Sequence, residues 1–176
     1  MPLRRVTAED AAAVQEFFSA LSKHDRTFLW ADVSDPAVGE RWLAEERRHS
    51  TVADDDGTIA AFATLTPLTD WSSHVAELVL VVGGWARRRG HGRALAQAML
   101  VGALEQGFTK VTVNVAADQR GAIEMFQSIG FQAEALLRDH LRTPETGEMR
   151  DLIILSHLVE ETYSQMLAAG MDTVTG

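Results

Sequence analysis

Hydrophobic residues along this chain follow two spacings, and the changes between them divide it into short elements. Val14, Phe17, Phe18 and Leu21 recur at helical spacing. Thr7 ahead of them reads as an N-cap, and Glu9 and Asp10 complement the helix dipole in the first turn. The pattern predicts a helix over about Ala8 to Leu21, after a short strand at Leu3 to Val6. Ser22 to Ser34 is less regular and carries Phe28, Leu29 and Trp30, which either pack over the core or line a pocket. Asp35-Pro36, an N-cap followed by proline, predicts the start of a second helix with Trp42 and Leu43 on its apolar face.

From Ser50 the spacing becomes that of strands. Ser50 to Ala53 and Thr58 to Leu65 flank Asp54 to Gly57, and an Asp-Gly pair between two apolar runs is a hairpin signal. After a loop at Pro67 to Ser73, His74 to Val82 is an almost wholly apolar strand. A helix follows from about His91 to Gln106, with Leu95, Met99 and Leu104 inward and Gly107 as its C-cap. Phe108 to Val115 is a strand with Val111, Val113 and Val115 on one face. Asp118 is placed to cap a helix from Gln119 to Ser128, which Gly130-Phe131 ends. Gln132 to Arg142 and Glu148 to Leu155 read as strands joined by a turn built on Pro144 and Gly147. Val159 to Ala169 reads as one more helix. The order β-α-α-β-β-β-α-β-α-β-β predicts an α/β domain with helices covering a twisted sheet. Two hairpin-like connections argue against an all-parallel sheet.

Composition narrows the picture. A chain of 176 residues, 46% hydrophobic and 23% charged, has the size and content of one globular domain. We read residues 1–176 as that domain, with 157–176 as a C-terminal extension. Its 25 acidic and 16 basic residues leave a net charge of −9, which does not suit nonspecific binding to nucleic acid or to anionic membranes. That charge is compatible with a cationic partner, though its simplest reading is a solubilising surface. With no cysteine there is no disulfide, no thiolate–zinc site and no thiol nucleophile. Neither a secretory signal nor a run approaching the ~20 apolar residues of a membrane span is present, so a cytoplasmic location is expected. The six histidines are scattered without metal-ligand spacing, and no metal is expected.

The chemistry concentrates in Val79 to Ala94, V-L-V-V-G-G-W-A-R-R-R-G-H-G-R-A. A buried strand runs into a loop rich in glycine and arginine, then into the first turn of a helix. Unpaired N–H groups at a helix N-terminus, glycines that permit close approach, and guanidinium charge together make a cradle for phosphate or pyrophosphate. The loop lacks Gly-x-x-x-x-Gly-Lys-Ser/Thr, and its glycines do not fit Gly-x-Gly-x-x-Gly, so neither an NTP-binding P-loop nor a dinucleotide fold is indicated.

Three segments resemble the GNAT (Gcn5-related N-acetyltransferase) superfamily. Arg87-Arg88-Arg89-Gly90-His91-Gly92 is similar to that family's Gln/Arg-x-x-Gly-x-Gly/Ala loop, in the same strand-loop-helix setting. Val113-Asn114-Val115, Gln119-Arg120-Gly121-Ala122 and Phe126 to Phe131 resemble its strand, Asn-x-x-Ala and Tyr-x-x-x-Gly-Phe series. Arg150 to Leu155 is similar to its last strand. The resemblance implies a mostly antiparallel twisted sheet with helices on both faces and a central splayed strand pair. It also implies acetyl-CoA as cosubstrate and direct acetyl transfer to a primary amine, of a small molecule or of a protein lysine or N-terminus. The amides of Arg88 to Gly92 would hold the pyrophosphate, with Arg87, Arg89 and Arg93 adding charge and His91 contributing its backbone. The pantetheine arm would pair with the backbone of Val81 and Val82, as an added strand does. Gln119, where the family often has asparagine, would contact the cofactor arm or cap the helix. A homodimer is the default assembly for a small enzyme.

An amine must lose a proton before it attacks, so a base is needed in the cleft. Glu77 is the candidate general base, because a carboxylate inside V-A-E-L-V-L is costly without a partner or a role. The alternative is a salt-bridged or solvent-facing strand residue. Asn114 either lines the cleft near the thioester or makes a strand-edge hydrogen bond. Asp25, Asp32 and Glu45 fall where the family shapes its acceptor pocket, and Asp139 and His140 fall near the acceptor side. Phe126 departs from the family's tyrosine, whose hydroxyl can protonate the leaving thiolate. Tyr163, the one tyrosine, lies in the C-terminal segment. The departure at Phe126 keeps a second reading open, a non-catalytic acyl-CoA-binding sensor or regulator.

Overall fold

The computed structural model describes residues 2–29, 33, 35–45, 47–143 and 146–159. Seven strands form one sheet: β1 (Leu3–Arg5), β2 (His49–Asp55), β3 (Thr58–Pro67), β4 (Val75–Val82), β5 (Lys110–Ala116), β6 (Gln132–Arg142) and β7 (Met149–Leu158), in the order β1-β2-β3-β4-β5-β7-β6. Among the described residues five helices accompany them: α1 (Ala11–Ala20), α2 (Lys23–Arg26), α3 (Val38–Ala44), α4 (His91–Glu105) and α5 (Arg120–Gln127). Asp56 and Gly57 both take positive φ (49° and 81°), the turn that an Asp-Gly hairpin requires, and it sets the β2–β3 register.

Among the described strands, β4 and β5 make the single parallel pair, because the crossover through α4 returns the chain in the same direction. Their ladder holds only Val75↔Lys110, Ala76↔Val111 and Glu77↔Thr112. Beyond it β4 stays paired with β3 as far as Val82, and β5 stays paired with β7 as far as Ala116. The two strands therefore diverge, and the sheet opens as a V in its middle.

Alternation along β4 gives each face its own core. Ala76 and Leu78 pack with Leu95, Ala96 and Met99 of α4 and with Phe126 of α5. Val79 and Val81 pack with Phe17 and Phe18 of α1 and with Phe62 of β3. Phe18, Phe62 and Trp42 form a ring cluster with centroids 5.1 to 6.0 Å apart, within the favourable range for edge-to-face and stacked pairs. The helices thus lie on both faces of the sheet.

The expected elements are present, with four corrections. The first helix begins as a 3-10 turn at Ala8–Asp10, where the Asp10 carboxylate accepts from the Thr7 amide at 2.9 Å. Asp35 does not cap α3 directly. Its carboxylate accepts from the Ala37 amide (2.9 Å) and from Arg41, so Asp35 to Ala37 form a turn and the helix starts at Val38. Asp118 does not cap α5, because its carboxylate is taken by Arg150 and the Gln119 carbonyl accepts from Ala122 and Ile123 instead. The segment read as irregular contains α2 and a 3-10 turn at Thr27–Leu29. Trp30, Asp32, Pro144, Tyr163 and the tail helix proposed beyond Val159 lie outside the described residues.

Candidate active site

The V between β4 and β5 is a cleft of about 640 Å³, lined by Leu78 to Val82 on one wall and by Val113 to Val115 on the other. At its wide end, Arg87, Arg88, Gly90, His91, Gly92 and Arg93 form the rim, and Gln119, Met125 and Phe126 close the side. Of the residues expected to hold a cofactor, Val81, Val82, Arg87, Arg88, Gly90, His91, Gly92, Arg93 and Gln119 are brought together here. Arg89 is not, because it turns away to Asp55 at the end of β2.

The loop follows from its residues. Arg88 and Gly90 both take left-handed backbone (φ 60° and 87°), an arrangement that turns successive amides toward one side. At Gly92 a Cβ would approach Val82 Cγ2 to 3.3 Å, so glycine lets α4 start directly against β4. At Gly83 a Cβ would meet the Trp85 ring at 2.6 Å. That ring folds back over the loop and meets Phe17 of α1 edge-on, with centroids 5.9 Å apart.

A second fastening is electrostatic. Arg87 is paired with Asp25 of α2, whose side chain is 5% exposed. Asp25 therefore anchors the loop and is not a free charge for an acceptor. Glu45 is likewise engaged, by Arg48 at 2.5 Å. Arg93 donates to Ser128 Oγ (2.6 Å), while Arg88 has no carboxylate partner among the described residues. The His91 ring is buried, and neither nitrogen has a hydrogen-bond partner among those residues.

At the narrow end, where the ladder stops, Asn114 Nδ2 donates to Glu77 Oε2 at 3.2 Å. Both side chains are half-buried on the α1 side of the sheet. Burial pushes the Glu77 carboxyl above the ordinary carboxylate range, against the opposing pull of the Asn114 amide and the Arg48 charge. Asn114 lines the cleft, while Glu77 sits behind it at the last rung of the β4–β5 ladder, where a carboxylate raised by burial holds a proton more readily than an ordinary one. Phe126 is buried against Phe131 (5.1 Å) and offers the cleft no hydroxyl. Asp139 and His140 are exposed on an irregular part of β6, where the Asp139 amide donates to Asp151. Among the described residues no group of three or more His, Asp or Glu is placed to hold a metal ion. None of their helices is long and apolar enough to cross a membrane.

Sequence reasoning did not single out Trp85 or Arg48. The Gly-Gly-Trp run was a signal for the first, because an aromatic beside two glycines can fold back on them. Arg48 carried no local signal.

The site and fold have counterparts in known proteins. Over 161 residues the chain is 28% identical to a mycothiol acetyltransferase of Nocardia farcinica, covering 92% of this chain and 50% of the relative. The chain thus spans about half the length of that curated relative. A putative acetyltransferase of Salmonella typhimurium, solved with acetyl-CoA, matches with a TM-score of 0.76 at 16% identity, over 91% of this chain and 94% of the other. A ribosomal-protein-alanine N-acetyltransferase of Brucella melitensis matches with a TM-score of 0.75 at 19% identity, over 90% and 99%. The model of the acetyltransferase (GNAT) family matches residues 14–131, from α1 through the arginine-glycine loop to Phe131, just before β6. The chain belongs to the acetyltransferase (GNAT) family.

Proposed function

We propose that the protein is an acetyl-CoA-dependent N-acetyltransferase that moves an acetyl group directly to a primary amine. The observation that carries this reading is the opening of the sheet after Glu77↔Thr112, with an anion cradle at one end and a hydrogen-bonded carboxylate at the other. The cradle fits a pyrophosphate: Gly90 takes a left-handed turn, Gly92 seats α4 against β4, and the amides open the N-terminus of a fifteen-residue helix. The unpaired edge of β4 fits a slender arm that hydrogen-bonds as a strand does.

Acetyl-CoA, when bound, supplies the activated acyl carbon and the thiol leaving group. The chain's part is to hold and deprotonate the amine. Glu77 takes the ammonium proton, directly or through water, and Asn114 fixes the carboxylate that receives it. Transfer takes two protons from the ammonium nitrogen: Glu77 takes the first and passes it to solvent, and the second, lost as the nitrogen–carbon bond forms and the carbon–sulfur bond breaks, is available to the thiolate, since Phe126 has none to give. The loop amides and Arg88 hold the donor in register, which lowers the entropic part of the barrier.

Phe126 favours one alternative, a binding module that retains acyl-CoA without turnover. Calorimetric titration with acetyl-CoA, beside thiol release in the presence of an amine panel, separates the two. We expect micromolar binding, its loss in a folded Gly92→Glu variant, and amine-dependent thiol release. Binding without thiol release from any amine would favour the sensor. No binding by folded wild type would end both readings.

A further inference from the structure

Beyond the cleft, one feature of the sheet points to the acceptor. On the α1 side β2, β3 and β4 are apolar through Val52, Phe62, Val79 and Val81, all under α1 and α3. One step toward the narrow end the face becomes polar, where Ser50 Oγ donates to Thr64 Oγ1 at 2.9 Å in a buried pair. The next row crosses four strands, with Arg48 just ahead of the first residue of β2. Thr66↔Glu77, Glu77↔Thr112 and Thr112↔Ser156 are cross-strand partners, and continuing His49↔Leu65 by one residue brings Arg48 beside Thr66. Cross-strand partners share a face. Thr66, Glu77, Thr112 and Ser156 are all half-buried. These four and Arg48 form a polar floor on the side of the sheet where Glu77 and Asn114 meet.

Arg48 is the unusual member. In a chain of net charge −9 its side chain is only 13% exposed. Its guanidinium carbon lies 4.8 Å from the centroid of the Trp42 ring, which sets its direction. It acts on Glu77 as a neighbouring positive charge. Its Nε donates to Glu45, whose side chain is 57% exposed, and among the described residues its terminal nitrogens make no hydrogen bond. An exposed partner of this kind is weakly held and exchangeable. A fixed guanidinium with free donors thus shares a floor with a carboxylate about two strand spacings away, roughly 10 Å between backbones.

We propose that the acceptor is a dipolar small molecule, an α-amino acid or a close analogue, bound with its amine toward Glu77 and its carboxylate on Arg48. The inference rests on the transferase reading. A floor with Glu77 alone would favour a simple cation, such as a polyamine. Arg48 repels such a cation and favours an amine that carries its own anion. A planar guanidinium also matches a carboxylate in two parallel hydrogen bonds.

The test pairs free amino acids with their decarboxylated amines and methyl esters. Two readouts are taken, thiol release from acetyl-CoA and the thermal shift of the coenzyme A complex. For wild type we expect kcat/KM at least about tenfold higher for the amino acid of each pair, the worth of one charge-assisted hydrogen bond. In Arg48→Gln, whose stem still covers Trp42, that ratio should fall to near one, chiefly through a higher KM for the amino acid. Glu45→Gln, at an exposed position, should lower KM for the amino acids by releasing Arg48. A preference for simple amines, or a ratio unchanged in Arg48→Gln, overturns the proposal. So does a panel in which no compound releases thiol or shifts the melting temperature. If amino acids shift the complex in an Arg48-dependent way while no compound releases thiol, an amino-acid site at Arg48 stands, and the transferase reading falls together with the acceptor role.

Discussion

On the proposed reading, Glu77 ties a rate to a stability. Its carboxyl is raised by burial. The folded state therefore holds a proton that the unfolded chain has already released. Such a group contributes stability fully present below the ordinary carboxylate value of about 4.3, lost as pH rises through the raised one. At neutral pH the ionised form is a net cost to the fold. Glu77→Gln should thus gain stability relative to wild type between pH 4 and pH 7, measured by denaturant titration at each pH. The same substitution removes the base, and kcat/KM should fall about 100-fold or more while the acidic limb of its pH profile flattens. A variant with an unchanged profile would return Glu77 to a structural role and leave deprotonation to solvent.

At the scale of elements, the loop from Gly83 to Gly92 is held by pieces far away in sequence. Three neighbouring arginines have three different fates. Arg87 is committed to Asp25, Arg89 to Asp55, and Arg88 is left to the cleft. Charge already neutralised by a carboxylate gives little to an incoming anion. We therefore expect Arg88→Ala to weaken acetyl-CoA binding about tenfold or more, with a steep salt dependence, and to leave the melting temperature nearly unchanged. Arg87→Ala should do the reverse. It leaves the buried Asp25 carboxylate unpaired, a loss of about 1–3 kcal/mol readable by thermal melting, with a smaller change in affinity. Equal losses of affinity in both variants would mean that Asp25 releases Arg87 when the donor arrives.

What the sequence made legible divides along the same line. The loop, the Asp-Gly hairpin and the faces of β5 were readable because each is local: a spacing, a turn pair, a period of two. The opening of the sheet was not readable from the residues, because it is a pairing that stops and no side chain encodes the stop. It entered only through family resemblance. α2 was missed because four residues are too few to show a helical period. The anchoring role of Asp25 was not legible because its partner lies 62 positions away, and Arg48 meets Glu77 as a neighbouring charge only once the sheet is folded.

For the molecule as a whole, a half-buried imidazole and a buried one bear on the acid side of stability. Burial lowers both His49, packed on Gly102 of α4, and His157, packed on Phe131. A lowered histidine stays neutral in the fold while the unfolded chain takes up protons. Its contribution is complete above about 6.5 and is lost as pH falls through the lowered value. Asp10 and Asp118, lowered chiefly by hydrogen bonds from Thr7 and Arg150, extend the loss below the ordinary carboxylate range. Denaturant midpoints should therefore fall in two stages on acidification, the first beginning near pH 6.5. His49→Gln with His157→Gln should remove most of the first stage. A single-stage fall with its onset below pH 5 would assign acid lability to the carboxylates alone.

The gap between β4 and β5 has a consequence for how the protein persists. A sheet with an internal edge is incomplete, and on the proposed reading the donor completes it. A ligand that binds only the folded form adds stability by mass action, about 2.7 kcal/mol when present at a hundred times its dissociation constant. The fraction of chains that escape proteolysis would then rise and fall with the supply of acetyl-CoA, so that scarcity of the donor removes the enzyme as well as its substrate.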